Sequence, residues 1–122
     1  MPKVMIVDDD RTTAKLLQTL LELDGFEVQT VLRGMDAMPK ALANRPNLVL
    51  MDYHLSDMEG VDIIRDMRQD AQLCDLPIVM TSGMDVEYEA MEAGATAFLL
   101  KPFDPDELPV LFSRLLEAKA DQ

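Results

Sequence analysis

Several polar residues stand at the ends of apolar runs. Lys3 to Val7 stops on Asp8 and Asp9, Leu48 to Met51 stops on Asp52, Ile78 to Met80 stops on Thr81 and Ser82, and Ala97 to Leu100 stops on Lys101. Three carboxylates held close together repel one another unless a proton, a lysine or a cation compensates. A divalent cation is the economical answer, and an all-oxygen donor set favours Mg²⁺, with Mn²⁺ or Ca²⁺ as alternatives, over zinc. Lys101 and the Thr81 hydroxyl then suit phosphoryl oxygens that the metal leaves free, and Asp52 suits a covalent acceptor. The chemistry of such a set is phosphoryl transfer, in which positioning and charge neutralisation carry most of the catalysis.

These residues meet only if the runs lie side by side with their carboxyl ends together. Leu48-Val49-Leu50-Met51 has no polar alternation, which marks a strand covered on both faces and hence a parallel sheet. Ligands of open parallel sheets bind at the carboxyl ends of the strands, where Asp52 falls. Between the runs lie helical patterns. Leucines 16, 17, 20 and 21 recur at helical spacing from Arg11 to Leu23, with Asp10 as N-cap and Gly25 as the stop. Phe26 to Val31 reads as a strand nearer a sheet edge, and a second helix runs from Gly34 to about Ala43, with Asp36 as cap and Pro39 in its first turn.

A third helix follows Gly60 with Val61, Ile64 and Met67 on one side, and Asp85 is placed as the cap of a short fourth helix ending at Gly94. That fourth helix has only Val86, Ala90 and Ala93 for an apolar face and is expected to be the least stable. Asp104-Pro105-Asp106-Glu107 then reads as N-cap, N1 proline and N3 glutamate of a last helix with Leu108, Leu111, Phe112, Leu115 and Leu116 inward. The expected fold is α/β, a five-stranded parallel sheet flanked by five helices with right-handed crossovers.

Composition narrows the function classes. A chain of 122 residues fits one domain, taken as residues 1–122. Eleven Lys and Arg against 23 Asp and Glu give a net charge of −12, which argues against nucleic-acid or anionic-membrane partners. A single cysteine, Cys74, excludes an internal disulfide and a cysteine zinc cluster. With no signal pattern and no membrane-length apolar run, a reducing, cytoplasmic setting is expected.

Val7-Asp8-Asp9, Asp52 with Gly60 downstream, Thr81, and Lys101-Pro102-Phe103 follow one another at spacings that are specific as a set. Over residues 3 to 118 the chain closely resembles the receiver domain of two-component response regulators. The resemblance implies the flavodoxin-like strand order 2-1-3-4-5. It implies Asp52 as phosphoacceptor, Asp8 and Asp9 as the acidic metal pocket, and the backbone carbonyl of His54 as a further Mg²⁺ ligand. Thr81 would be the switch hydroxyl, Lys101 the phosphate-binding lysine, Phe98 the aromatic whose rotamer reports the state, and the Lys101–Pro102 bond would be cis. The partners implied are a sensor histidine kinase or phosphotransfer protein upstream and a target protein or output domain downstream. The face of helix four, strand five and helix five would switch, with phosphorylation-dependent dimerisation one of its uses.

Two departures from the family stand out. Leu55-Ser56 replaces the Met-Pro that often follows the phosphoacceptor, so the loop loses a rigidifying proline and is expected to be more mobile. Thr81 to Lys101 is short for the family, which places the shortening at the fourth helix or the loop before it.

Plainer readings exist for each residue. An Asp ending a strand is usually a solvated turn residue, an acidic run a helix cap, His54 an exposed loop residue, Ser82 a turn filler and Cys74 an inert thiol. The ten methionines are simplest as adaptable core fill, with Met84 and Met91 as candidates for a partner surface. The His54 side chain is expected to overhang the site and to affect water access. A rival enzyme class is a haloacid-dehalogenase-like phosphatase, since Asp8-Asp9-Asp10-Arg11-Thr12 satisfies Asp-x-Asp-x-Thr with Asp8 as nucleophile. It leaves Asp52 without a role and lacks a later acidic pair. A third class is a pseudo-receiver that binds partners without phosphorylation, against which the complete residue set speaks.

Overall fold

The computed structural model describes residues 1–121. Five strands, β1 (Lys3–Val7), β2 (Glu27–Val31), β3 (Leu48–Asp52), β4 (Ile78–Ser82) and β5 (Ala97–Leu100), form one parallel sheet in the order β2-β1-β3-β4-β5. They alternate with helices α1 (Arg11–Leu23), α2 (Ala37–Asn44), α3 (Gly60–Gln69), α4 (Glu87–Ala93) and α5 (Glu107–Ala120). The architecture and strand order are those expected.

Side-chain alternation along the central strands divides the interior in two. Met5, Val7, Val49, Met51, Ile78 and Met80 pack with α2, α3 and α4, through residues such as Ala41, Ile64, Met67 and Ala90. Val4, Ile6, Leu48, Leu50 and Val79 pack with Leu17 and Leu21 of α1 and Leu108 and Phe112 of α5. Both faces of the sheet are covered, so its central strands can be apolar at every position.

Local chemistry sets the helix ends. Asp10 Oδ1 accepts the Thr12 and Thr13 N–H groups at 3.0 and 3.3 Å, the expected cap of α1. At its other end Gly25 adopts φ +92°, with Gly25 N–H bonded to Glu22 C=O and Phe26 N–H to Leu21 C=O, both at 3.1 Å. This left-handed stop satisfies carbonyls that the helix would otherwise leave open.

Two capping positions fail and a third is filled without its bond. Asp36 stands at the N-cap of α2, as expected, but its carboxylate accepts from Arg33 Nε at 3.2 Å, not from the helix amides. Asp85 makes no cap, because α4 starts two residues later, behind Val86. Asp104 does not open α5: its carboxylate takes the Asp106 N–H at 2.9 Å, closing a local turn, and the helix begins at Glu107. Strand two starts at Glu27, one residue late, since the Phe26 N–H is bonded to Leu21 C=O at the end of α1; the Phe26 ring packs edge-to-face against Phe112, centroids 5.9 Å apart. In α1, Leu17 and Leu21 are buried as expected, whereas Leu16 is 55% exposed.

Candidate phosphoryl-transfer site

The sheet brings the strand-end residues to one edge. Asp52 closes β3 and lies in register with Thr81 of β4, and Ser82 lies in register with Leu100, directly before Lys101. Carboxylate oxygens of Asp8, Asp9 and Asp52 lie within 4.8 Å of one another. The Lys101 ammonium donates to Asp52 Oδ1 at 3.1 Å, and the Lys101–Pro102 peptide is cis. Thr81 and Asp8 are buried, and Asp9 is exposed.

Asp8 carries the electrostatic load of the cluster. Burial raises its pKa above the ordinary aspartate value and the charges of Asp52 and Asp9 push the same way, against the Asp10 N–H and Lys101. Its Oδ1 accepts the Asp10 N–H at 2.9 Å. An all-oxygen cluster of crowded carboxylates, one of them desolvated, fits a hard divalent cation such as Mg²⁺. Asp8, Asp9 and Asp52 are the side chains that could hold it.

His54 fits the role of carbonyl ligand. It pairs with Glu59 in an antiparallel bridge made by Gly60 N–H to Tyr53 C=O at 2.7 Å and Leu55 N–H to Met58 C=O at 3.2 Å, which engages neither backbone group of His54. The His54 imidazole is exposed, and its Nδ1 lies 3.2 Å from Glu59 Oε2, a competitor for the expected overhang. Gly60 must be glycine here, because a Cβ would overlap the Asp52 carbonyl oxygen and crowd Met80 Cε at 2.9 Å. Phe98 is half-buried and packs on the α2–α4 side of the sheet.

The loop after Asp52 contains contacts that no local sequence pattern signals. Tyr53 donates its backbone N–H to Thr81 C=O at 2.9 Å, and its phenol donates to Glu89 of α4, with both carboxylate oxygens within 3.0 Å. The bond to Glu89 raises the tyrosine pKa, because the neutral phenol is the donor. Ser56 Oγ donates to Asp9 Oδ2 at 2.5 Å. Asp57 accepts the N–H groups of Met35 and Gly34 at 2.9 and 2.8 Å, which hold its pKa below the ordinary value. Tyr53, Ser56 and Asp57 therefore tie down by polar contacts the loop in which the family often has a proline. A cleft of about 410 Å³ opens beside the site, lined by Asp52, Thr81 and Lys101 and by apolar Leu16, Leu17 and Phe103.

Comparison with known proteins agrees with this geometry. Residues 4–112 match the family described as the response regulator receiver domain. The alkaline phosphatase synthesis transcriptional regulatory protein PhoP of Bacillus subtilis is 33% identical over 109 residues, 87% of this chain and 45% of that protein. The phosphate regulon transcriptional regulatory protein PhoB of Rhizobium meliloti is 34% identical over 111 residues, 88% of this chain and 49% of the relative. The chain thus spans about half the length of the curated relatives it matches. Among solved structures, the chemotaxis response regulator CheY4 of Vibrio cholerae superposes with a TM-score of 0.87 at 30% identity, covering 94% of this chain and 98% of that one.

Proposed function

Because the chain belongs to the response regulator receiver domain family, we propose that Asp52 accepts a phosphoryl group from a phosphohistidine on a sensor histidine kinase or phosphotransfer protein. The observation that carries this reading is the convergence of three carboxylates within 4.8 Å, with Lys101 Nζ 3.1 Å from Asp52. Asp52 attacks phosphorus in line, forming the acyl phosphate as the phosphorus–nitrogen bond to the donor histidine breaks. Asp8, Asp9, Asp52 and the His54 carbonyl would hold Mg²⁺, or Mn²⁺ in its place, which would supply charge neutralisation for the transferred oxygens. Lys101 and Thr81 bind phosphoryl oxygens, and Pro102 and Gly60 shape the backbone around them.

Recruitment of Thr81 lets Phe98 turn inward and shifts a pre-existing equilibrium of the face made by α4, β5 and α5. That face exposes Tyr88, Met91, Leu100 and Val110, and we assign output to it, toward a downstream target, an attached output domain or a second copy of the chain. The domain, residues 1–122, acts in the cytoplasm as a signalling module that promotes its own modification, without turnover of a separate substrate. Net charge −12 sets it apart from direct nucleic-acid or membrane binders. No helix among the described residues is long and apolar enough to cross a membrane. The family match goes against the phosphatase alternative.

Intact mass after incubation with acetyl phosphate and Mg²⁺ tests the proposal. A phosphoryl-sized gain that needs Mg²⁺ and vanishes in Asp52→Asn is the expected outcome. No adduct in the wild type would favour the silent pseudo-receiver, and phosphatase turnover abolished by Asp8→Asn would favour the rival enzyme.

A further inference from the structure

Each carboxylate of the cluster has one oxygen engaged by a protein donor among the described residues. Asp8 Oδ1 takes the Asp10 N–H at 2.9 Å, Asp52 Oδ1 takes Lys101 Nζ at 3.1 Å, and Asp9 Oδ2 takes Ser56 Oγ at 2.5 Å. The other oxygen of each carboxylate has no protein donor among the described residues and is available to a cation. Of the three acids, Asp9 alone is exposed, and its hydrogen-bond donor is Ser56. Without that donor its carboxylate would be free to turn among rotamers.

Ser56 is itself held. Leu55 before it is buried at 7% exposure, and Asp57 after it is fastened to the Gly34 and Met35 amides at 2.8 and 2.9 Å. The hydroxyl is therefore presented by a fixed segment, 47 positions along the chain from the carboxylate it meets. A proline at this position would have no hydroxyl to give.

We propose that Ser56 is a positioning residue of the cation site, its hydroxyl orienting Asp9 so that the free Asp9 oxygen faces the metal. The inference rests on the receiver reading above and concerns Mg²⁺ affinity before any phosphoryl transfer. Partners that orient metal ligands typically carry ten- to hundredfold in affinity, and an exposed one belongs at the low end, about tenfold.

The test is an NMR titration of metal-free protein with MgCl₂, following the amide signals of Asp10 and Met58. Ser56→Ala is expected to bind Mg²⁺ about tenfold more weakly, and Ser56→Thr, which keeps the hydroxyl, to stay within about twofold of wild type. Because Ser56 acts through Asp9, Ser56→Ala added to Asp9→Asn is expected to cause no further loss, a non-additivity that a general loosening of the loop would not produce. Equal or tighter binding by Ser56→Ala would overturn the proposal, as would the same loss in the Asp9→Asn background. If the wild type fails to bind Mg²⁺, the receiver reading falls and this inference with it; if only the Ser56 effect is missing, the receiver reading stands alone.

Discussion

Asp8 has a cost in the folded protein that its proposed place in the cation site explains. Its folded pKa lies above the unfolded one, so the folded state holds the Asp8 proton more tightly. The stability this contributes is complete below the unfolded value and is lost as pH rises through the folded pKa, so at neutral pH the ionised group disfavours folding. Asp8→Asn is therefore expected to raise the metal-free melting temperature at pH 7 by roughly 3–5 °C, the effect of about 1 kcal/mol on a chain of this size, and to weaken Mg²⁺ binding. The gain should shrink as pH falls toward 4, and calorimetry at both pH values with and without Mg²⁺ checks it. An unchanged or lower melting temperature at pH 7 would contradict it. Asp8, Asp52, Thr81 and Lys101 were legible in sequence because each ends an apolar run, and parallel strands align such ends. Ser56 was not, because nothing local marks a serine whose partner, Asp9, comes from a different strand end.

At the scale of elements, α4 is the shortest helix, with seven residues, no side-chain cap and only Ala90 and Ala93 buried. Its weak apolar face was readable from the sequence. What holds the region in place was not, because the contacts come from residues distant in the chain. Tyr53 reaches α4 through Glu89, and Arg68 of α3 reaches the turn behind it. Arg68 Nε donates to Gly94 C=O at 2.8 Å, and its guanidinium also donates to Leu76 C=O at 2.7 Å and Cys74 C=O at 3.1 Å. One planar cation thus ties the loop before β4 to the turn before β5. Arg68→Ala is expected to lower stability by about 2–3 kcal/mol, since charge-assisted hydrogen bonds are lost and carbonyls are left unmet. Arg68→Lys should recover less than half, because one ammonium cannot span both segments. Urea denaturation of the three proteins measures this, and a change under about 0.5 kcal/mol would place the clamp outside the stability of the fold.

Across the whole molecule, the excess of acid is a property of the surface as well as of the site. Net charge −12 opposes compaction, and screening relieves self-repulsion. Metal-free protein is expected to gain several degrees of melting temperature between about 20 and 300 mM KCl, as the Debye length falls below about 10 Å. Part of that gain should be absent in Asp8→Asn, and a flat salt response would put the charge too far apart to matter. The fold itself was legible at this scale because five apolar runs alternate with five helical patterns. The helix starts were less so, since Asp36, Asp85 and Asp104 look like caps while Asp36 and Asp104 engage other partners. The strict in-and-out alternation of the central strands has a further consequence. Since Met5 and Val7 pack against α2–α4 while Val4 and Ile6 pack against α1 and α5, the sheet works as a partition between two rooms. Side chains can rearrange on the α4 side, one part of the face proposed for output, while the strands that end on Asp8 and Asp52 stay packed on the other against α1 and α5.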